Sequence, residues 1–132
     1  MVTRNSVPVV EDDVSILRAL VDKLTREGFT VFAGKNGEEG FALALAERPD
    51  IILLDILMPV MDGSTMMTKL REENLWGKNV PIILLTNLST AEIKVVKAVV
   101  EATPSYYLVK SNWSMADVIQ KVKDTLRMAT EG

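Results

Sequence analysis

Charged and polar side chains follow four of the apolar runs in this sequence. Glu11, Asp12 and Asp13 come after VPVV, Asp55 ends IILLD, Thr86 ends VPIILLT and Lys110 ends YYLVK. A buried carboxylate without a partner costs several kcal/mol, so such groups usually neutralise, find a partner or bind a metal. If the four runs are parallel strands of one sheet, their carboxyl ends meet at one edge. The spacing therefore predicts that these six side chains lie together.

The chemistry open to such a cluster is set by its charges. Several carboxylates brought together repel one another unless a cation lies among them or some are protonated. The chain has no His and no Cys, so its ligands are hard oxygens, which favour Mg²⁺ with waters completing an octahedron. Mg²⁺ and Lys110 would neutralise a phosphoryl group, and Thr86 would donate a hydrogen bond to one of its oxygens. Asp55 would then be the carboxylate nucleophile.

Five apolar runs alternate with five helix-like segments along the chain. The runs predict strands over residues 7–10, 29–33, 51–55, 80–86 and 106–110. The segments predict helices over residues 14–28, 36–47, 64–74, 90–102 and 115–128. This alternation predicts an α/β fold: a single doubly wound (βα)5 domain with a parallel five-stranded sheet and helices on both faces. The expected strand order is the flavodoxin-like 2-1-3-4-5, with a site outside the carboxyl ends of strands 1 and 3.

Small residues mark where the predicted helices begin and end. Asp13 is placed to cap the first helix, and Gly28 to follow its last turn. Asp62 is expected to be a helix cap or turn residue. Gly63 is expected to take a positive φ where the chain turns into the third helix. Pro59 would stiffen the loop before that helix.

The composition limits the classes of function. With 132 residues the chain is expected to form one domain over residues 1–132, with a core of about 7–128. Its net charge of −3 argues against direct nucleic-acid binding by phosphate neutralisation. The absence of His and Cys excludes thiolate metal sites, imidazole zinc sites and Ser-His-Asp catalysis. No signal-like segment or run of bilayer length is present, so a cytoplasmic domain without membrane contact is expected.

Each candidate residue also has a simpler explanation. Glu11 and Asp12 could be solvated loop charges and Thr86 an ordinary strand-end residue, but their register with the other strand ends favours a site. The segment GKNGEEG (34–40) lacks the GxxxxGK[ST] spacing of a phosphate-binding loop. An aspartyl phosphatase of the haloacid dehalogenase type needs a second aspartate two residues after the first, where this chain has Leu57. Trp76 lies in a loop-like segment and is expected to pack over the core.

Taken together, the motifs resemble the receiver domain of bacterial two-component response regulators, the CheY-like family. The resemblance covers approximately residues 7–128. It is carried by VVEDD (9–13), LLDILMPVMDG (53–63), Thr86 in IILLT and Lys110 in YYLVK. It implies that a sensor histidine kinase or a phosphotransfer protein donates a phosphoryl group to Asp55. The protein would then be a signalling phosphoacceptor that catalyses only its own phosphorylation and dephosphorylation.

The resemblance also implies roles for individual residues. It implies a Mg²⁺ site built from three carboxylates and one backbone carbonyl, namely Glu11, Asp12, Asp55 and Leu57. Lys110 and Thr86 would bind the phosphoryl group, and Thr86 and Tyr107 would move together on phosphorylation. The output surface would combine the helix over residues 90–102, the fifth strand and the last helix. A downstream effector or a second copy of the chain would bind there.

Some positions depart from the commonest receiver pattern. Asn87 stands where a small residue is usual, and Ser111 stands where proline is usual. The resemblance implies that Leu57 and Leu88, which are both apolar, flank the path of the hydrolytic water, and this predicts a long-lived phosphoryl state. These departures leave an alternative: a receiver fold that acts as a phosphorylation-independent adaptor, a pseudo-receiver. A Mg²⁺ titration separates the two readings, because an adaptor does not need the ion.

Overall fold

The computed structural model describes residues 5–56, 58, 60–86, 106–109 and 114–131. The strands are β1 Ser6–Val10, β2 Thr30–Gly34, β3 Ile52–Asp55, β4 Ile82–Thr86 and β5 Tyr106–Val109. The helices in these ranges are α1 Val14–Arg26, α2 Gly37–Glu47, α3 Gly63–Glu73, α4 Leu75–Asn79 and α5 Met115–Glu131. None of the helices described is both long and apolar enough to cross a bilayer. The helix predicted over residues 90–102 lies outside the described residues.

The five strands form one parallel sheet in the order β2-β1-β3-β4-β5. This confirms the strand order predicted from the alternation of apolar runs and amphipathic segments. In the register of the sheet, Val10 pairs with Leu54 and Asp55 pairs with Leu85. The chain therefore leaves β1 and β3 at adjacent points of the same edge, where the sheet reverses its winding direction.

The sheet is covered on both faces because β3 and β4 are apolar at every position before their last residue. Val9 and Leu53 pack on the face covered by α1 and α5, whereas Val10 and Leu54 pack on the face covered by α2 and α3. Successive side chains of a strand point to opposite faces, so a continuous aliphatic run such as β3 fills both cores at once. Burying one such side chain contributes roughly 1.5–3 kcal/mol, which holds β1 and β3 firmly in place.

Polar caps fix the points where the helices begin. Asp13 and Asp62 each accept a hydrogen bond from the backbone N–H three residues on, at 3.1 and 2.8 Å. Both residues are therefore N-caps, as predicted. Gly28 has a positive φ of 97° after the end of α1, which confirms its predicted position beyond the last turn. The helix itself ends at Arg26, two residues earlier than predicted.

The predicted positive φ at Gly63 is wrong, and the residue is required for a different reason. In the β3–α3 loop the positive φ falls instead at Val60, at 68°. A Cβ atom on Gly63 would lie 2.1 Å from the backbone oxygen of Asp55. The Gly63 N–H also donates a hydrogen bond of 2.8 Å to the Ile56 carbonyl. Gly63 thus lets α3 begin in direct contact with the end of β3.

The sequence did not predict the short helix α4. Asn74 caps it by accepting a hydrogen bond of 2.8 Å from the Gly77 N–H. At its other end, the Arg71 guanidinium donates to the carbonyls of Gly77 and Val80, at 2.9 and 2.6 Å. Trp76 is half-buried on this helix and packs against the core cluster of the α2–α3 face, which confirms its predicted packing.

Candidate functional site

Three carboxylates meet where β1 and β3 end. Asp55 is the last residue of β3, and its residue surface is 5% exposed. Glu11 follows β1 and is fully buried, whereas Asp12 is exposed. One carboxylate oxygen from each residue lies within 4.8 Å of those of the other two. The structure therefore brings together three of the four acidic residues that the sequence predicted as neighbours. The fourth, Asp13, caps α1 instead.

Backbone hydrogen bonds hold this arrangement in place. The Glu11 N–H donates to the Gly34 carbonyl at 2.9 Å, which extends the β1–β2 ladder by one residue. The Asp13 N–H donates to Oε2 of Glu11 at 3.1 Å. On the other side, the Ile56 N–H donates to the Leu85 carbonyl at 3.3 Å. The two buried acids are therefore attached to regular sheet hydrogen bonding rather than to free loops.

Glycines of α2 bring a second element close to the site. The Gly37 N–H donates to the Met61 carbonyl at 2.8 Å, and a Cβ atom on Gly37 would lie 2.2 Å from that oxygen. A Cβ atom on Gly40 would lie 2.7 Å from the side chain of Val10. The segment GKNGEEG (34–40), which lacks the spacing of a phosphate-binding loop, thus has a packing role. The three-residue spacing of its glycines was the signal for it.

The electrostatics of the cluster favour a bound cation. Two ionised carboxylates about 5 Å apart repel by roughly 3 kcal/mol at an effective dielectric constant of 20. The donor set contains carboxylate oxygens alone, which suits a hard divalent cation. Because Asp12 is exposed, the cluster opens to solvent, and water can complete the coordination. The three residues therefore fit a Mg²⁺ ion.

The other predicted site residues lie partly or wholly outside the described part of the chain. Thr86 ends β4 and its backbone pairs with Val109 of β5. Tyr107 lies in β5, where its backbone pairs with Leu84. The side chains of Thr86 and Tyr107 lie outside the described residues. The same holds for Leu57, Pro59, Asn87, Leu88, Lys110, Ser111 and Trp113.

Val60 is a feature of the site loop that the sequence analysis missed. It lies five residues after Asp55, and its residue surface is 76% exposed. Its φ of 68° is in the left-handed region, which β-branched residues rarely adopt. No sequence signal marks it, because a valine favours extended structure. The loop that connects the acidic cluster to α3 therefore contains a strained position.

The strand order and the acidic cluster define a class of protein: a flavodoxin-like α/β domain whose site lies at the topological switch point of the sheet. The family model described as the response regulator receiver domain matches residues 7–123. The chain belongs to this family. The resemblance seen in the sequence motifs is thus confirmed.

Curated relatives that the chain matches are named as transcriptional regulatory proteins. It is 38% identical over 126 residues to the transcriptional regulatory protein PrrA of Mycobacterium tuberculosis. The aligned region covers 96% of this chain and 52% of PrrA. It is 37% identical over 123 residues to the transcriptional regulatory protein SrrA of Staphylococcus aureus, and the aligned region covers 93% of this chain and 48% of SrrA. The chain therefore spans about half the length of the curated relatives it matches.

Solved receiver structures share the fold. A CheY-like receiver domain protein from Methanospirillum hungatei superimposes with a TM-score of 0.85 at 25% identity, covering 98% of this chain and all of that one. The response regulator TrrA of Thermotoga maritima superimposes with a TM-score of 0.76 at 28% identity. The superposition covers 91% of this chain and 97% of TrrA. TrrA was solved in complex with Mg²⁺ and BeF.

Proposed function

We propose that this chain is the phosphoacceptor of a two-component phosphorelay. A histidine kinase or a phosphotransfer protein would transfer its phosphoryl group to Asp55 in a Mg²⁺-dependent reaction. The observation that carries the proposal is the cluster of Glu11, Asp12 and Asp55, whose carboxylate oxygens lie within 4.8 Å of one another. The kinship with transcriptional regulators and with TrrA, a regulator crystallised with Mg²⁺ and BeF, supports it.

Asp55 has the position that a nucleophile requires. Its carboxylate lies at the end of a strand that is buried on both faces, so its backbone cannot shift without disturbing both cores. During transfer an Asp55 oxygen would form a bond to phosphorus while the bond between phosphorus and the donor histidine nitrogen breaks. No other covalent bond is made or broken on this chain.

The remaining residues would neutralise and orient the transferred group. Glu11, Asp12, Asp55 and the Leu57 carbonyl would hold Mg²⁺, which would offset the negative charge of the phosphoryl oxygens. Lys110 would pair with one oxygen, and Thr86 would donate a hydrogen bond to another.

Phosphorylation of Asp55 would change a partner-binding surface away from the acidic cluster. Thr86 and Tyr107 would move together and alter the surface that combines residues 90–102, β5 and α5. An effector or a second copy of the chain would bind this surface. The reaction would take place in the cytoplasm, where the kinase domain would deliver its phosphoryl group.

Intact mass spectrometry tests the proposal. The protein is incubated with acetyl phosphate in the presence and absence of Mg²⁺, alongside Asp55→Asn, Asp12→Asn and Glu11→Gln variants. The expected result is one phosphoryl adduct that requires Mg²⁺, is absent from Asp55→Asn and forms slowly in the other two. If no adduct forms and no Mg²⁺ binds, the proposal fails and the phosphorylation-independent adaptor takes its place.

A further inference from the structure

The turn between β2 and α2 contacts both sides of the acidic cluster. On one side, the Gly34 carbonyl accepts the hydrogen bond of 2.9 Å from the Glu11 N–H, directly after β1. On the other side, the Gly37 N–H donates its hydrogen bond of 2.8 Å to the Met61 carbonyl, in the loop that connects β3 to α3. Residues 34–37 therefore bridge the end of β1 and the loop that follows β3.

The contact between Gly37 and Met61 leaves no room for a side chain at position 37. Gly37 is buried at the start of α2. An added Cβ atom would lie 2.2 Å from the Met61 carbonyl oxygen and 2.9 Å from its carbonyl carbon. Both of these atoms belong to the backbone, so only a movement of the loop or of the helix could relieve the overlap. The position of the loop therefore depends on a glycine at the first residue of α2.

The start of α2 is a rigid support for this contact. The Asn36 side chain caps the helix by accepting a hydrogen bond of 2.9 Å from the Glu39 N–H. In return, Oε1 of Glu39 accepts a hydrogen bond of 3.1 Å from the Lys35 N–H. This reciprocal pair resembles a capping box and fixes the direction in which the helix begins. Because the first N–H groups of a helix have no partner within it, the Gly37 N–H is available for the tertiary bond to Met61.

The β3–α3 loop needs such a support because part of it is strained. Val60, the residue before Met61, has a φ of 68°, which β-branched residues rarely adopt. Strained conformations of this kind persist where the surrounding contacts enforce them. The base of the loop is closed by the Gly63 N–H, which donates to the Ile56 carbonyl at 2.8 Å. The bond from Gly37 adds a contact from a neighbouring helix, directly after the strained residue.

We propose that Gly37 is a positioning residue for the Mg²⁺ site. Its N–H holds the β3–α3 loop in the conformation that binds the ion, because this loop contains Leu57, whose carbonyl is a predicted ligand. The inference rests on the proposed function, since it requires that Mg²⁺ binds at the acidic cluster. The hydrogen bond from Gly37 to Met61 and the bound ion then stabilise each other, because coupling between two equilibria is reciprocal.

Amide hydrogen exchange measured by NMR tests the proposal on the unmodified chain. The exchange rate of the Gly37 N–H is measured without Mg²⁺ and with saturating Mg²⁺. We expect the ion to slow this exchange by at least about fivefold, because the hydrogen bond must open before the proton exchanges.

The Gly77 N–H is the matched control for this measurement. It also belongs to the first turn of a helix, and it donates to the Asn74 side chain at 2.8 Å. Its helix, α4, lies just before β4 in the chain and therefore at the amino end of the sheet. Its exchange rate should change by less than about twofold, unless Mg²⁺ acts on the stability of the whole domain.

Two glycine variants test the same point through the affinity for Mg²⁺. A Cβ atom would lie 2.2 Å from a backbone oxygen in Gly37→Ala and 2.1 Å from one in Gly77→Ala, so the two substitutions impose similar overlaps. Calorimetric titration with Mg²⁺ should show binding at least about fivefold weaker in Gly37→Ala. The affinity of Gly77→Ala should stay within about twofold of the wild type.

The possible outcomes separate this inference from the proposed function. If Mg²⁺ binds but leaves the exchange of Gly37 unchanged, or slows both amides equally, the inference is wrong and the phosphoacceptor proposal stands. Equal losses of affinity in the two variants would also contradict the inference, because they would show a general effect of destabilisation. If the wild type binds no Mg²⁺, both proposals fail. The exchange measurement requires no variant, so it decides the matter even if Gly37→Ala does not fold.

Discussion

At the carboxyl end of the sheet three carboxylates lie within 4.8 Å of one another, whereas at the amino end a leucine, a tryptophan and two prolines line a groove. Both ends nevertheless depend on the same kind of close packing. A Cβ atom on Gly63 would meet the Asp55 oxygen at 2.1 Å, and one on Gly77 would meet the Leu70 oxygen at 2.1 Å. Each glycine therefore lets a helix pack directly against the backbone of another element.

The two ends differ in their electrostatics. At the amino end, Arg71 donates to two carbonyls and Asp50 accepts from a backbone N–H, so those charges have partners within the fold. At the carboxyl end, like charges are concentrated, so a bound cation would stabilise the cluster. The comparison suggests that substitutions at the amino end change stability, whereas those at the carboxyl end change both stability and chemistry.

The largest expected effect comes from adding a methyl group at either glycine. Gly63→Ala and Gly77→Ala should each lower the free energy of unfolding by roughly 3 kcal/mol, because the new Cβ overlaps a backbone oxygen. Gly28→Ala is the control: it has a positive φ but no neighbour within 4 Å, and should cost about 1 kcal/mol. Urea denaturation measures all three. Only Gly63→Ala should also slow formation of the phosphoryl adduct, and equal slowing in Gly77→Ala would contradict the comparison.

Arg71→Gln should have the next largest effect, at the amino end. Burial removes water from the Arg71 guanidinium and lowers its pKa. Its two hydrogen bonds to carbonyls offset the free-energy cost of burying this charge. Their loss should destabilise the protein by about 2 kcal/mol, with thermal unfolding as the measurement. The rate of phosphorylation of the folded protein should not change. A stability equal to that of the wild type would show that α4 does not depend on this contact.

Asp12→Asn should make the protein more stable than the wild type without Mg²⁺ and should reduce the stability that Mg²⁺ adds. Without Mg²⁺ it removes one of three mutually repelling carboxylates, so stability should rise by about 1 kcal/mol. With Mg²⁺ the wild type should gain stability through binding, and the variant should gain little. Thermal unfolding across a Mg²⁺ titration gives both quantities. A Mg²⁺-dependent rise of the same size in the variant would exclude Asp12 as a ligand.

Val60→Asn should relieve strain in the site loop. A left-handed conformation costs an ordinary residue roughly 1–2 kcal/mol, and asparagine tolerates it better. The variant should therefore be more stable by about 1 kcal/mol. The same exchange at Val14, which is exposed but helical, should change stability by less than about 0.5 kcal/mol. Equal effects at the two positions in urea denaturation would show that the conformation of Val60 is not strained.

The smallest effect concerns the ion pair between Glu27 and Lys123, whose charged atoms lie 2.5 Å apart. The hydrogen bond from Lys123 and its charge lower the pKa of the Glu27 carboxyl from its ordinary value of 4.5. The contribution to stability is therefore present above pH 4.5 and is lost as the pH falls through the lower folded pKa. Glu27→Gln should make the free energy of unfolding fall slightly less steeply with decreasing pH in that acidic range. An unchanged slope would mean that the pair does not contribute.

Much of this architecture was predictable from the sequence. The aliphatic runs of β1, β3 and β4 indicate strands buried on both faces, and parallel pairing then brings Glu11 and Asp55 together. The caps at Asp13 and Asp62 follow from local hydrogen bonding alone.

The features that sequence reasoning missed depend on tertiary contacts. The helix α4 has only five residues, too few for a periodic pattern, and its last turn depends on Arg71 from α3. The role of Gly63 was misjudged because the close approach of α3 to β3 depends on how the two elements pack. The strained φ of Val60 runs against the preference of valine and had no local signal.

Chemical trapping of the phosphorylated residue tests the central claim most directly. The chain is incubated with acetyl phosphate and Mg²⁺, reduced with borohydride, which converts an aspartyl phosphate to homoserine, and digested for peptide mass spectrometry. The account predicts homoserine at position 55 and nowhere else, and none when Mg²⁺ is removed. Homoserine at another aspartate, or aspartate retained at position 55 despite Mg²⁺, would contradict it.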